Sequence, residues 1–333
     1  MRAGQKVFGV LSAAALGAAV AFSVVAQDAA EAPAGADAGQ AIIKPHPAEI
    51  MPLAPKSMLL DITEAGGCWF AVGDRGNIVI SSNGSEWAQV EVPSRAALTA
   101  VSFADGQTGW AVGHDASIVA TTDGGKTWKL QHFNAELEKP FLDVVAISPT
   151  RALAIGAYGL FKETSDGGQT WTDVDAPAVR EAETHLNGVA VLGNGDLLIA
   201  GEVGMLAVSG DQGKTWSKLT APYDNSLFGA LSLGDKGAVL YGLRGNVYST
   251  DDVRKGAWQK LDPQSVASMF GGATLANGDR ALVGLNGVVL VVAASGEIRQ
   301  YKSERGTPLS AAVAMGDTLL AVGESGVQTI PLK

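Results

Sequence analysis

The sequence predicts an all-β fold, a single β-propeller of about seven four-stranded blades. Three observations lead there. A short unit of apolar residues, an anchoring glycine and a polar or glycine-containing tip recurs seven times, as FAVGDRG, WAVGHDA, LAIGAYG, LIAGEVG, VLYGLRG, ALVGLNG and LAVGESG. The anchors Gly73, Gly113, Gly156, Gly201, Gly242, Gly284 and Gly323 lie 39 to 45 residues apart, the length of one blade. Finally, 42 glycines and 17% charged residues, spread among many short apolar runs, suit closely turned strands better than a helical or disordered chain.

Each unit divides into four short strands, predicted in the second at 98–103, 109–113, 117–121 and 127–131. The first strand of successive units is compact and apolar: LTAVSF from Leu98, LDVVAI from Leu142, LNGVAVL from Leu186, LFGALSL from Leu227, FGGATL from Phe270 and LSAAVAM from Leu309. Seven such strands converge on one axis, where large side chains would collide, so Gly188, Gly229, Gly271 and Ala311 read as packing residues. The last unit stops one strand short. Residues 48–54 are expected to supply its outer strand, closing the ring by pairing the N-terminal segment with the last blade.

Ahead of the propeller, assigned to residues 42–333, stand two other segments. Arg2 and Lys6 precede an apolar run ending in Val24-Val25-Ala26, the pattern of a signal peptide over 1–26; an uncleaved anchor would need a run of similar length. Residues 27–41 are small, acidic and proline-containing and read as a flexible leader. The chain is therefore expected in the periplasm or outside the cell, soluble and monomeric after cleavage. Its only cysteine, Cys68, lies far from the apolar run beside Trp69 and Phe70, which fits a packed strand residue and no lipid attachment site. With 24 basic against 34 acidic residues, net −10, nucleic acid is not an expected partner.

Three units carry a tighter signature between their third and fourth strands: TTDGGKTW at 121–128, TSDGGQTW at 164–171 and SGDQGKTW at 209–216. The carboxylates of Asp123, Asp166 and Asp211 can accept backbone N–H bonds inside the turn. Gly125, Gly168 and Gly213 tolerate positive φ, and Trp128, Trp171 and Trp216 plug the space between layers. Degenerate relatives occur at 81–87 and 249–258. Calcium, with its six to eight oxygen ligands, is poorly served by one carboxylate per turn, and the four histidines are isolated, so neither metal nor cofactor is expected.

These turns resemble the Asp-box, or bacterial neuraminidase repeat, of sialidases and other secreted propellers. The longer pattern, AVG followed by G-x-I-x-x-T-x-D-G-G-x-T-W and then LNGVAV at 186–191, resembles the photosystem II stability and assembly factor family and its relatives in non-photosynthetic bacteria. That resemblance, spanning Leu59 to about Val327, implies a secreted or lumenal propeller that is not an enzyme and assists assembly of membrane proteins. Proteobacterial relatives are often encoded beside resistance-nodulation-division exporters, which makes an envelope membrane-protein complex, an exporter among them, the implied partner.

In a propeller, the loops between second and third strands share one face with the connections between blades. Asp74, Arg75, His114, Asp115, Tyr158, Glu202, Arg244, Asn286 and Glu324 fall in those loops, and Arg95, Arg180 and Arg305 in the connections. Together they form a candidate docking face, with Arg75 and Arg244 its leading members. Polarity at turn positions also follows from contact with water alone. Two other functions compete. A degenerate sialidase-like glycosidase would use Tyr158 with Glu202, although the R-I-P motif of that family is missing. A carbohydrate- or lipid-binding propeller would need exposed aromatics, whereas most tryptophans here belong to turns or strands.

Overall fold

The computed structural model describes residues 43–332; the signal-peptide and leader readings lie outside the described residues. Seven antiparallel sheets succeed one another, six of four strands and the last of three. Their inner strands are Leu59–Ala65, Leu98–Phe103, Phe141–Ser148, Leu186–Val191, Leu227–Leu233, Met269–Thr274 and Leu309–Met315. Each packs beside the next, and the seventh returns to the first, closing the ring. In the second blade the strands run Leu98–Phe103, Gly109–Gly113, Ile118–Thr121 and Lys129–His132, within two residues of the sequence reading. Among the described residues no helix is long and apolar enough to cross a membrane.

The core consists of seven apolar clusters, one at each interface between neighbouring blades. Second and third strands are covered on both faces, which is why they read as continuous apolar runs such as Val288–Val292. Trp110 and Phe141 are fully buried between blades two and three. The interface that closes the ring joins Leu59, Ala71 and Val79 to Ala311, Leu320 and Val322.

Every inner strand carries a bulge at its second residue, where the register against the second strand slips by one. The bulge re-aims the side chains that follow it. It also explains the anchoring glycines. In all seven blades the residue after the anchor donates its N–H to the carbonyl just before the inner strand, at 2.8–3.2 Å, as His114 does to Ala97 and Leu285 to Ser268. That bond draws the hairpin so close that a β-carbon on the anchor would overlap the same carbonyl oxygen in every blade.

Polar side chains near the inner strands join the first five blades. Asp61 accepts from Val101 N and Asp143 from Val189 N; Thr99 donates to the Phe141 carbonyl and Asn187 to that of Leu227. Blades five and six are joined instead by the Phe228 and Phe270 rings, 5.2 Å apart. Gly188, Gly229 and Gly271 are packing positions, as expected: a β-carbon there would meet the Phe228 carbonyl, the Tyr241 ring and the Ser310 carbonyl.

Closure takes a different form from the expected outer strand. Among the described residues the last sheet has three strands, and the N-terminal segment reaches that blade through one backbone bond, Val327 N to Pro55 O. Residues 46–51 instead lie along the outer edge of the first blade, bonded through Ala48 N to Val92 O and Arg95 N to His46 O. Pro47, Pro52 and Pro55 lack the N–H groups that a ladder would need.

At the opposite end of the third strands stand the aspartate turns. Asp123 Oδ1 accepts from the Thr121 hydroxyl and Thr127 N, and its Oδ2 from the Thr127 hydroxyl at 2.7 Å. The turns at Asp166 and Asp211 repeat these bonds. The threonine bonds, hydroxyl before backbone, hold the Asp123 and Asp166 carboxyls down to about 2 and draw that of Asp211 lower still. All three carboxylates are thus occupied within their own turns, which suits a structural role. Asp123→Ala is expected to cost about 1 kcal/mol in urea unfolding at pH 7. This cost should shrink as pH falls from about 4 to 2, because the unfolded carboxyl takes up its proton over that interval while the native one still resists it.

Candidate docking face

The loops joining second and third strands lie beside the blade connections, held there by the anchor bonds just described. Each tip is a tight turn. In six blades two successive residues take the left-handed conformation, and the first of each pair is not glycine: Arg75, Asp115, Tyr158, Val203, Arg244 and Asn286 have φ of 52–59°, followed by glycine or, at the second tip, by the buried Ala116. All six are exposed at one end of the ring.

Arg75 extends beside Asp74 at 3.7 Å and over the Met51 sulfur, and with Glu49, Met51 and Arg95 it lines a cavity of about 360 Å³. Arg244 is exposed, with no ion pair among the described residues, and borders a shallow cavity with Lys260 and Asp262. His114, Asp115, Asn286 and Glu324 are exposed on the same rim. Arg305 is exposed but tied to the Ser325 carbonyl at 2.7 Å, which fixes it beside Glu324.

Two members of the candidate face are turned inward. Arg180 donates to the carbonyls of Gly159 and Val174, at 3.1 and 2.6 Å, and so secures its own loop to the third blade. Glu202 folds back on His185, accepting from its backbone N at 2.9 Å and approaching its Nδ1 at 3.8 Å. The His185 ring meets Tyr158 edge-on at 4.7 Å, while Lys139 Nζ lies 5.8 Å from the centre of the same tyrosine ring. Tyr158 and Glu202 are therefore brought into one cluster through His185, and the carboxylate faces the histidine.

Sequence reasoning overlooked the apolar part of this face. At the fourth tip the projecting residue is Val203, 71% exposed, and not its neighbour Glu202. Val266, in the connection to the sixth blade, is 86% exposed, and Met58 and Tyr158 are also exposed. The available signal was the position of each residue two places after its anchoring glycine, which Val203 shares with Arg75 and Arg244.

The sequence profile of the family described as photosynthesis system II assembly factor YCF48 matches residues 79–140 and 130–308. A curated relative, the photosystem II assembly lipoprotein Ycf48 of Synechococcus sp. (strain CC9902), is 32% identical over 112 residues, 32% of this chain and 33% of the relative. The match thus spans about a third of that relative's length. A solved structure of YCF48 bound to a D1 peptide superposes with a TM-score of 0.68 at 18% identity, covering 86% of this chain and 96% of the other. YCF48 from Cyanidioschyzon merolae gives 0.66 at 17% identity, over 85% and 98%. At these identities the structures share the fold.

Proposed function

The chain belongs to the photosystem II assembly factor YCF48 family, and from that membership we propose that it is a non-enzymatic accessory or assembly scaffold of the cell envelope, docking through its loop face onto a membrane-protein complex. The observation that carries this reading is the set of six non-glycine tips held at positive φ on one face. Left-handed backbone costs side chains other than Asn and Asp about 1 kcal/mol relative to glycine, so the turns at Arg75, Tyr158, Val203 and Arg244 would each be more stable with glycine. Side chains retained at that cost, on rigid hairpins at one end of the ring, suit contact with another molecule. Their chemistry fits a protein surface: exposed Arg75, Arg95 and Arg244 among exposed Tyr158, Val203 and Val266.

A relative that binds a D1 peptide gives the reading a precedent. An export signal at 1–26 would deliver the scaffold to the periplasm, where an exporter is one candidate complex. Crosslinking and affinity capture from intact envelopes, with Arg75→Glu and Arg244→Glu compared at equal abundance, test the reading. Recovery of one membrane complex should fall at least about tenfold in the variants. Unchanged recovery would place the interface elsewhere.

A further inference from the structure

On the axis of the ring, below the loop face, lies a cavity of about 180 Å³. Its upper wall is built from bulge residues, among them Phe228 and Phe270, and its lower wall includes Asp61, Asp143 and Tyr241. Tyr241 does not belong to an inner strand. It lies on Gly237–Gly242, paired with Gly229, and its ring reaches the axis only because that glycine has no side chain to stop it. The residue is 7% exposed, and its hydroxyl makes no hydrogen bond to the described residues. Asp61 and Asp143 sit deep in the ring, and the surface they keep free faces the cavity. Each carboxylate accepts two backbone N–H bonds, one to each oxygen, from Ile62 and Val101 or from Val144 and Val189. No cation among the described residues pairs with either of them.

We propose that this cavity is a binding site for a primary alkylammonium group, such as the end of a lysine side chain. Such a group needs an apolar sleeve for its methylenes and hydrogen-bond acceptors for its three N–H donors. Phe228 and Phe270 border the cavity on one side, and Asp61, Asp143 and the Tyr241 oxygen supply the acceptors of a mainly polar lining. Charge complementarity favours it, because two carboxylates otherwise line one cavity without a counter-charge among the described residues. A calcium ion fits less well. It takes six to eight oxygens, whereas two carboxylates and one phenol offer at most five, and no group of three metal-binding side chains occurs among the described residues.

The site does not rest on the docking reading, and it is tested without any partner. Isothermal titration of the purified chain with n-butylammonium chloride should show one saturable site with a Kd on the order of 1 mM, while tetramethylammonium, equal in charge but without donors, should show none. Tyr241→Phe should weaken binding about tenfold, and Asp143→Asn should take it beyond detection. The removed hydroxyl bonds nothing in the protein, so circular dichroism of Tyr241→Phe should match the parent. Nα-acetyl-lysine amide distinguishes the source: binding as tight as that of butylammonium assigns the pocket to polypeptide lysines, and weaker binding assigns it to free amines. Absence of a saturable site, equal affinity in parent and both variants, or saturable calcium binding with butylammonium silent would overturn the proposal.

Discussion

Gly284→Ala is expected to destabilise the ring by about 3 kcal/mol, lowering the thermal midpoint by about 6–12 °C in circular dichroism. The backbone at Gly284 is extended, with φ −168°, so no conformational preference is lost on substitution. The cost comes from approach. The new β-carbon would overlap the Ser268 carbonyl oxygen and lie 2.9 Å from the Met269 α-carbon, while the Leu285 N–H to Ser268 bond holds the two segments together. Gly234→Ala is the control. Gly234 has φ +64° and open space around it, so alanine there should cost only about 1 kcal/mol. Equal effects at the two sites would mean that the anchors are glycine for some reason other than contact.

The second large effect is a fall in stability on going from acid to neutral pH. Burial raises the Asp61 carboxyl to about 6 and that of Asp143 to about 7, the charge of Asp61 adding to the latter while backbone N–H bonds oppose both shifts. In the unfolded chain both ionise near 4. Between about pH 4 and 7 the native state therefore binds more protons, and stability drops as pH rises, by up to about 3 kcal/mol for Asp61 and about 4 kcal/mol for Asp143, before levelling. Asp143→Asn removes one of these titrations at the loss of one hydrogen-bond acceptor. In urea unfolding the variant should be the less stable protein at pH 4.5, and the gap should narrow or reverse by pH 8. A gap that stays constant across that interval would show that Asp143 does not carry the pH dependence.

These two effects also mark what could be seen in the sequence. The repeat was legible because one steric demand, the approach of each hairpin to the carbonyl before the inner strand, fixes glycine in all seven blades. The aspartate turns were legible because their bonds run between residues at most four apart. The links between blades were hidden: Asp143 reaches Val189 N, 46 residues away, and its significance depends on the bulge before it. Tyr241 enters the axis through the gap left by Gly229, a pairing visible only once strand register is known. On the loop face, positions could be read but directions could not. Arg180 and Glu202 have the same letters as exposed residues, yet nearby carbonyls and His185 turn them inward. The outer strand expected from the N-terminal segment failed on its prolines, which leave one bond to the last blade at Pro55.

Docking through one face is tested most directly by photocrosslinking in intact envelopes from single positions on opposite ends of the ring. A photoreactive residue at Tyr158, Val203 or Arg244 samples the loop tips, and one at Lys126, Gln169 or Lys214 samples the aspartate turns; all six are exposed. The expected result is a crosslink to the same membrane protein from each loop-tip position and none from the turns. Crosslinks from the turns alone, or equally from both ends, would contradict docking through the loop face.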